Sequence, residues 1–206
     1  MSYTLYGHAG SGGYAVEAGL ILAKADYKTI EIDTKKGEQF SDAFRAVNPW
    51  CQVPALILPD GTVMTESAAM AIHLADSFPE AGLAPPLASS GRAEFLRWMV
   101  FMTINIYEGD LRLYYADRYT TDANGIDGVK EAGRAHMQRG FRTVEGLLGT
   151  RAFMLGSEMS MADIYLAMLR VWYRDPLDSP RVDAVQDAVR THPPIAELWQ
   201  RHFPGR

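Results

Sequence analysis

The chain has 206 residues, which is enough for one large domain or for two small ones with separate cores. Hydrophobic residues make up 48%, charged residues 22%, and the net charge is −5 with scattered basic residues, so we expect no nucleic-acid partner. No charged leader with an apolar run opens the sequence and no long apolar window follows, so we expect neither a signal peptide nor a membrane partner. A single cysteine cannot form an intramolecular disulfide, and a cytoplasmic protein is therefore expected.

Short apolar strand patterns alternate with helical patterns in the first part of the chain. Strands are predicted at residues 3–6, 28–32, 55–58 and 62–64. Helices are predicted at residues 14–24, at 40–47 and from about residue 65 onward, with Thr65 or Ser67 as the N-cap of the third. The resulting order β-α-β-α-β-β-α predicts a small α/β domain over residues 1–78.

The pattern changes after residues 79–90, PEAGLAPPLASS, a segment whose composition is typical of a linker. Helices are predicted from there on, at residues 91–119, 128–148, 161–174 and 194–202. The sequence MSMAD forms a capping box, with Ser160 as the N-cap and Asp163 three residues later. No strand pattern recurs, so residues 91–206 are predicted to form an all-helical domain.

The strongest functional signal is the stretch VPALILPDGTVMTES. A cis bond before Pro54 turns the N–H and C=O of Val53 outward, where they can pair with an extended peptide. Downstream, a helix opens at Glu66 and Ser67, and its free N–H groups suit a carboxylate while the Glu66 carboxylate suits an ammonium group. The pattern predicts a site for a peptide with an α-amino and an α-carboxylate group; a plain turn before a capped helix is the alternative.

Four segments resemble the cytosolic glutathione transferases. They are YGHAGS, NPWCQVPALIL, DGTVMTESAAMAIHLAD and MSMADIYLAML, and they follow the order of that family across nearly the whole chain. The resemblance implies an α/β thioredoxin-like N-terminal domain plus an all-α C-terminal domain, assembled as a homodimer. It also implies glutathione as co-substrate, bound as thiolate and conjugated to a small hydrophobic electrophile.

The resemblance also assigns roles to residues of the α/β domain. Val53 would pair through its backbone with the cysteinyl part of glutathione, with Pro54 in the cis form, and Gln52 would contact the tripeptide. Glu66 and Ser67 would hold the γ-glutamyl end.

A basic residue after the second strand would bind the glycine carboxylate of glutathione. Lys36 is the expected residue and Lys35 the close alternative, although a solvated turn explains two lysines equally well.

Thiol activation is assigned by the resemblance to the start of the first helix, where Ser11 would donate a hydrogen bond to the glutathione sulfur. Three alternatives stay open. Ser11 can simply cap the helix, the backbone N–H groups of Gly12 and Gly13 can hold the sulfur directly, or Tyr14 can be the donor.

Cys51 departs from the pattern NPxGQVP of many relatives, and we interpret it as a small structural residue. A redox role is the minor alternative, because a cysteine reacts only as an exposed thiolate in an electropositive setting.

The electrophile is expected to bind to the helical domain, where FMTINIYEGDLRLYY supplies Tyr107 and Tyr114 as candidates among the aromatic residues. Ordinary helix packing is the alternative for each. A metal site is not expected, because the five histidines are isolated and lack ligand spacing. Ether cleavage, peroxide reduction, isomerisation and glutathione binding without catalysis remain alternative functions.

Overall fold

The structure, a computed structural model, describes residues 2–206. Its contacts divide the chain into two compact units. The α/β unit holds the chain up to Leu87 together with Arg190–Arg206, and the helical unit holds Ala88–Val189. The C-terminal segment thus groups with the α/β unit, whereas the sequence pattern placed it in the helical domain. The reason is a long-range aromatic contact, because Tyr14 packs edge-on against Trp199 with ring centroids 5.4 Å apart.

The α/β unit contains a four-stranded mixed sheet with the order β2-β1-β3-β4. The strands are β1 (Tyr3–Gly7), β2 (Tyr27–Glu31), β3 (Ala55–Ile57) and β4 (Val63–Met64). β1 runs parallel to β2 and antiparallel to β3, and β3 and β4 form an antiparallel pair around a tight turn. With its helices this sheet has the expected thioredoxin-like architecture.

Four helices belong to the α/β unit: α1 (Gly13–Leu22), α2 (Asp42–Val47), α3 (Ser67–Ser77) and α9 (Pro193–His202). α1 and α3 pack together, and a core of Leu5, Val16, Leu20, Leu56 and Leu74 joins them to the sheet. In the chain, α1 begins after the loop that follows β1, and α3 begins after the loop that follows β4.

Five helices form the helical unit: α4 (Gly91–Met102), α5 (Glu108–Tyr114), α6 (Ile126–Leu148), α7 (Met161–Trp172) and α8 (Pro180–Arg190). The helix predicted over residues 91–119 is continuous as far as Tyr114, and it contains a π-helical turn at Thr103–Tyr107 between α4 and α5. Helix α8 was missed. Its available signals are a proline at the first position and buried valines at 182, 185 and 189.

Glycines allow α5 and α6 to cross at close range. A methyl group on Gly133 of α6 would lie 2.8 Å from the carbonyl oxygen of Gly109 and 2.8 Å from the amide nitrogen of Leu113. Real Cβ atoms do not approach backbone atoms so closely, so the crossing depends on the missing side chain.

Of the two helix-cap predictions, one is confirmed and one was wrong. The capping box of Ser160 and Asp163 at the start of α7 is confirmed. The prediction of Thr65 or Ser67 as the N-cap of α3 was wrong, because Glu66 takes that position with φ 65° and makes no side-chain cap. Within residues 2–206, no helix combines the length and the apolar character that a membrane span requires.

Candidate active site

The loop between β1 and α1 is held by the hydroxyl of Ser11. Its Oγ donates to the carbonyl oxygen of His8 at 2.7 Å and accepts from the backbone N–H of Gly13 at 3.2 Å. The side chain is almost fully buried. Since a serine hydroxyl has one proton, Ser11 must release the His8 carbonyl before it can donate to a ligand thiolate.

Two other groups at the start of α1 are candidate donors to the thiol. The N–H of Gly12 has no hydrogen-bond partner among the described residues, and it lies at the start of α1, where free N–H groups create positive potential. Tyr14 is fully buried against Trp199 and Phe203 of the C-terminal segment. Its hydroxyl is buried without a hydrogen-bond partner among the described residues, and burial raises its pKa.

Asn48 shapes the loop that precedes β3, and sequence reasoning missed this residue. Its side-chain nitrogen donates to the carbonyl oxygen of Gln52 at 2.7 Å, and its Oδ1 accepts from the N–H of Trp50 at 3.0 Å. Cys51 between them has φ 58°, a left-handed conformation that favours glycine, which fits the glycine of many relatives at this position. The asparagine of the Asn-Pro step was the available signal.

Val53 and Pro54 are joined by a cis peptide bond, as predicted. Neither the N–H nor the C=O of Val53 forms a hydrogen bond with another part of the described chain. A methyl group on Gly13 would lie 3.8 Å from Cβ of Pro54. The structure therefore brings the start of α1 and the Val53 loop next to each other.

Glu66 and Ser67 stand at the start of α3. Glu66 is exposed and has a positive φ, which is uncommon for a residue other than glycine and is often found at functional sites. Ser67 is buried in the first turn of α3, at the positive end of the helix dipole. An exposed carboxylate next to free N–H groups can bind an ammonium group and a carboxylate together.

Lys36 is the predicted partner of the glycine carboxylate. Its Nζ lies 2.9 Å from Oδ2 of Asp33, and this hydrogen bond raises the pKa of Lys36. A ligand carboxylate would compete with Asp33 for Lys36. Lys35 is exposed and donates its backbone N–H to Asp33 at 3.0 Å.

Tyr107 and Tyr114, the electrophile candidates, both contact Trp172 within the helical unit. The rings of Tyr107 and Trp172 meet edge-on with centroids 5.2 Å apart. The Tyr114 hydroxyl donates to the carbonyl oxygen of Trp172 at 3.2 Å. Tyr107 is half-buried and Tyr114 is exposed, so both leave aromatic surface accessible beside Trp172.

Asp110 lies between these tyrosines in the sequence and was missed by sequence reasoning. Its side chain is only 6% exposed, and its Oδ1 has no hydrogen-bond partner. Burial raises the pKa of Asp110 to about 7, although the nearby charge of Arg174 lowers it. No sequence pattern separates this aspartate from an exposed one.

No metal centre is formed by residues 2–206, in which no three histidine, cysteine, aspartate or glutamate side chains come together.

Comparison with known proteins identifies the family. A family profile described as the N-terminal domain of glutathione S-transferase matches residues 16–77. The chain is 30% identical over 148 residues to glutathione S-transferase GstA of Escherichia coli O157:H7, covering 71% of this chain and 70% of that protein. The chain belongs to the glutathione S-transferase family.

Other family members align over nearly the whole length of this chain. The GST-like protein YncG of Escherichia coli K12 is 28% identical over 205 residues, with 96% of this chain and 97% of that one covered. A maleylacetoacetate isomerase of Pseudomonas aeruginosa is 26% identical over 210 residues, with 98% and 96% covered. A glutathione transferase homologue from Sulfitobacter, solved with bound glutathione, superposes with TM-score 0.87 at 25% identity, covering 96% of both chains.

Proposed function

We propose that this family member binds glutathione as a thiolate and conjugates it to a small hydrophobic electrophile. The observation that supports the proposal most strongly is the juxtaposition of the α1 start with the Val53 loop, where Gly13 approaches Pro54. If the cysteinyl backbone of glutathione pairs with the unbonded backbone groups of Val53, its thiol would lie near the donors at the start of α1. Glu66 and Ser67 would hold the γ-glutamyl end, while Lys36 and Gln52 would contact the remainder of the tripeptide.

We propose Ser11 as the residue that activates the thiol, with the Gly12 N–H as its alternative. On ligand binding, the Ser11 hydroxyl would turn from the carbonyl oxygen of His8 to the sulfur. A hydrogen bond to a charged acceptor is worth about 1.5–3 kcal/mol, which lowers a thiol pKa by about one to two. The positive end of α1 favours the thiolate further.

We propose a symmetric homodimer as the assembled form. Leu96, Val100 and Ile104 form an exposed apolar row at intervals of four residues along α4 and the turn after it, and Trp50 is exposed in the α/β unit. An isologous contact that covers such side chains recurs around a two-fold axis. Sedimentation at micromolar protein tests this, and a clean monomer would contradict it.

Glutathione-dependent isomerisation is the second candidate, because an aligned relative is named maleylacetoacetate isomerase. Assays of isomerisation and of conjugation to a chlorinated nitroaromatic, run on the same preparation, separate the two candidates. Conjugation without isomerisation is the expected result.

The deciding experiment is a calorimetric titration with glutathione, followed by ultraviolet difference spectra of the thiolate across pH. We expect saturable binding and a bound thiol whose pKa lies below that of free glutathione. Binding with an unshifted thiol pKa would instead indicate a non-catalytic glutathione-binding protein. No binding at all would overturn the proposal.

Two variants distinguish residues that bind glutathione from the residue that activates its thiol. Glu66→Ala should weaken binding by about 1.5–3 kcal/mol, while Glu80→Ala, another exposed glutamate, should not. Ser11→Ala should raise the bound thiol pKa by about one to two and lower conjugation at neutral pH about tenfold, with little change in affinity. If Ser11→Ala changes neither the bound thiol pKa nor the rate of conjugation, the Gly12 N–H becomes the proposed donor.

A further inference from the structure

The end of α9 contacts the loop that precedes α1. The backbone N–H of Gly10 donates to Nδ1 of His202 at 3.2 Å, across 192 positions of the sequence. Gly10 has φ 79°, and a methyl group there would lie 3.5 Å from the carbonyl oxygen of His202. The residue next to Ser11 is therefore tied to the last helix of the chain.

The second ring nitrogen of His202, Nε2, faces a buried carboxylate. Nε2 lies 3.1 Å from Oε2 of Glu17, and both side chains are buried. Arg201 donates to Oε1 of the same carboxylate at 2.7 Å, and the Tyr27 hydroxyl donates to it at 3.1 Å. Burial raises the pKa of Glu17, but the His202 hydrogen bond and the Arg201 charge outweigh it, so the net pKa is lowered and the carboxylate stays ionised.

An ionised carboxylate only accepts hydrogen bonds, so Nε2 of His202 must carry the proton that it donates to Glu17. The neutral ring then has a lone pair on Nδ1, which is what the Gly10 N–H requires. Glu17 thus sets the tautomer of His202, and the tautomer supplies the acceptor for Gly10.

Hydrogen bonds tie this loop to other segments of the α/β unit: besides the Gly10–His202 bond, Nε2 of His8 lies 3.2 Å from Oγ1 of Thr34. A cavity of about 100 Å³ lies beside it, lined by Gly7, His8, Ala9 and Gly13 on the loop side and by Glu17, Glu31, Arg201 and His202 among its polar groups. The bonds between Ser11 and His8 are local and move with the loop. The Gly10–His202 bond connects the loop to a distant helix, so it limits where the loop can lie relative to the rest of the unit.

We propose that His202 is a positioning residue for the thiol-activating loop, with Glu17 holding its imidazole in the tautomer that accepts from Gly10. The inference rests on the proposed function of Ser11 and the α1 start. Without this bond, the donors at the start of α1 would sample positions away from the sulfur, and the thiolate would be less stabilised. Affinity for the tripeptide would change little, because its proposed holding groups lie on other loops.

Two matched substitutions separate the two ring nitrogens. Asparagine places its side-chain oxygen near the position of Nδ1, and glutamine places its amide nitrogen near that of Nε2. His202→Asn therefore retains an acceptor for Gly10, whereas His202→Gln retains a donor to Glu17 and leaves Gly10 without a partner. Both variants lose the ring contact with Tyr14, so that loss cancels in the comparison.

The experiment measures Gly10 amide hydrogen exchange, the pKa of bound glutathione by thiolate absorbance, and the separate constants kcat and KM. For His202→Gln we expect faster Gly10 exchange, a raised thiol pKa and a kcat about five- to tenfold lower at neutral pH, with KM for glutathione nearly unchanged. His202→Asn should restore most of the exchange protection and of kcat.

The outcomes distinguish this inference from the proposed function. If the unsubstituted protein does not bind glutathione or does not shift its thiol pKa, the proposed function fails, whatever Gly10 exchange shows. If it does both and His202→Gln alters neither Gly10 exchange nor the thiol pKa, the positioning role is overturned. Equal losses in the Asn and Gln variants would also overturn it, because they would indicate packing rather than the acceptor at Nδ1.

Discussion

Asp163 and Asp110 are both buried aspartates of the helical unit, yet their surroundings differ. Asp163 accepts hydrogen bonds from the N–H of Met154 at 2.7 Å and from the N–H and the hydroxyl of Ser160, both at 2.8 Å. Asp110 has an Oδ1 without a partner, and the charge of Arg174 is the attraction that opposes its burial. Burial raises the pKa of both, to about 6 for Asp163 and to about 7 for Asp110.

The difference shows that burial of a charged group does not by itself indicate its role. Asp163 satisfies backbone donors at a helix start, so it contributes to folding. Oδ1 of Asp110 accepts no hydrogen bond from the described residues. Asp110 lies on α5, which carries Tyr114 and directly follows the π-helical turn that carries Tyr107, and both tyrosines contact Trp172. An unpaired buried carboxylate costs stability, and such costs often persist at functional sites.

The largest expected effect comes from Asp163→Ala, which leaves the buried N–H groups of Met154 and Ser160 without an acceptor. We expect the free energy of unfolding to fall by about 3–5 kcal/mol, measured by urea denaturation. Asp127→Ala is the matched control, since Asp127 also lies in the first turn of a helix but is exposed. A loss no larger than that of the control would remove the distinction between the two buried aspartates.

Asp110→Asn should raise the free energy of unfolding rather than lower it, by an amount that depends on pH. Because the pKa of Asp110 is raised on folding, its stability contribution is complete below about pH 4 and is lost as the pH rises through about 7. The asparagine variant cannot ionise. As the pH rises from about 5 to about 8, its free energy of unfolding should therefore increase by about 2–3 kcal/mol relative to that of the unsubstituted protein. Parallel stability curves would show that Asp110 titrates normally.

Gly133→Ala tests the close crossing of α6 with α5, the helix that carries Asp110. The new methyl group would meet the backbone of Gly109 and Leu113, and we expect a loss of about 1–3 kcal/mol in unfolding free energy. Gly128→Ala on the same helix is the control, because a methyl group there meets nothing within 4 Å and alanine favours a helix by about 1 kcal/mol. Equal effects at Gly133 and Gly128 would contradict the close crossing.

The smallest effect is expected for Tyr14→Phe. The Tyr14 hydroxyl is another buried polar group without a partner among the described residues, but unlike the Asp110 carboxyl it stays uncharged, because burial raises its pKa. Removing it should change the unfolding free energy by less than about 1 kcal/mol and leave the bound thiol pKa unaltered. A raised thiol pKa in this variant would make Tyr14 the activating donor and displace Ser11.

Local chemistry made much of this protein predictable from its sequence. The order of strands and helices in the α/β unit, the capping box of Ser160 and Asp163 and the cis bond before Pro54 all depend on neighbouring residues. Hydrophobic periodicity, cap residues and the proline step act within a few positions, so their consequences can be inferred without knowing what packs against them. The family segments likewise indicated the fold and the loops of the proposed glutathione site.

Tertiary structure alone decided the features that depend on distant residues. The acceptor for Gly10 comes from His202, and α9 joins the α/β unit because Trp199 packs on Tyr14. Asp110 is buried within the helical unit, which no period in the sequence reveals. These contacts join positions far apart in the chain, and their free energy depends on desolvation and on partner geometry, which only the packed fold specifies.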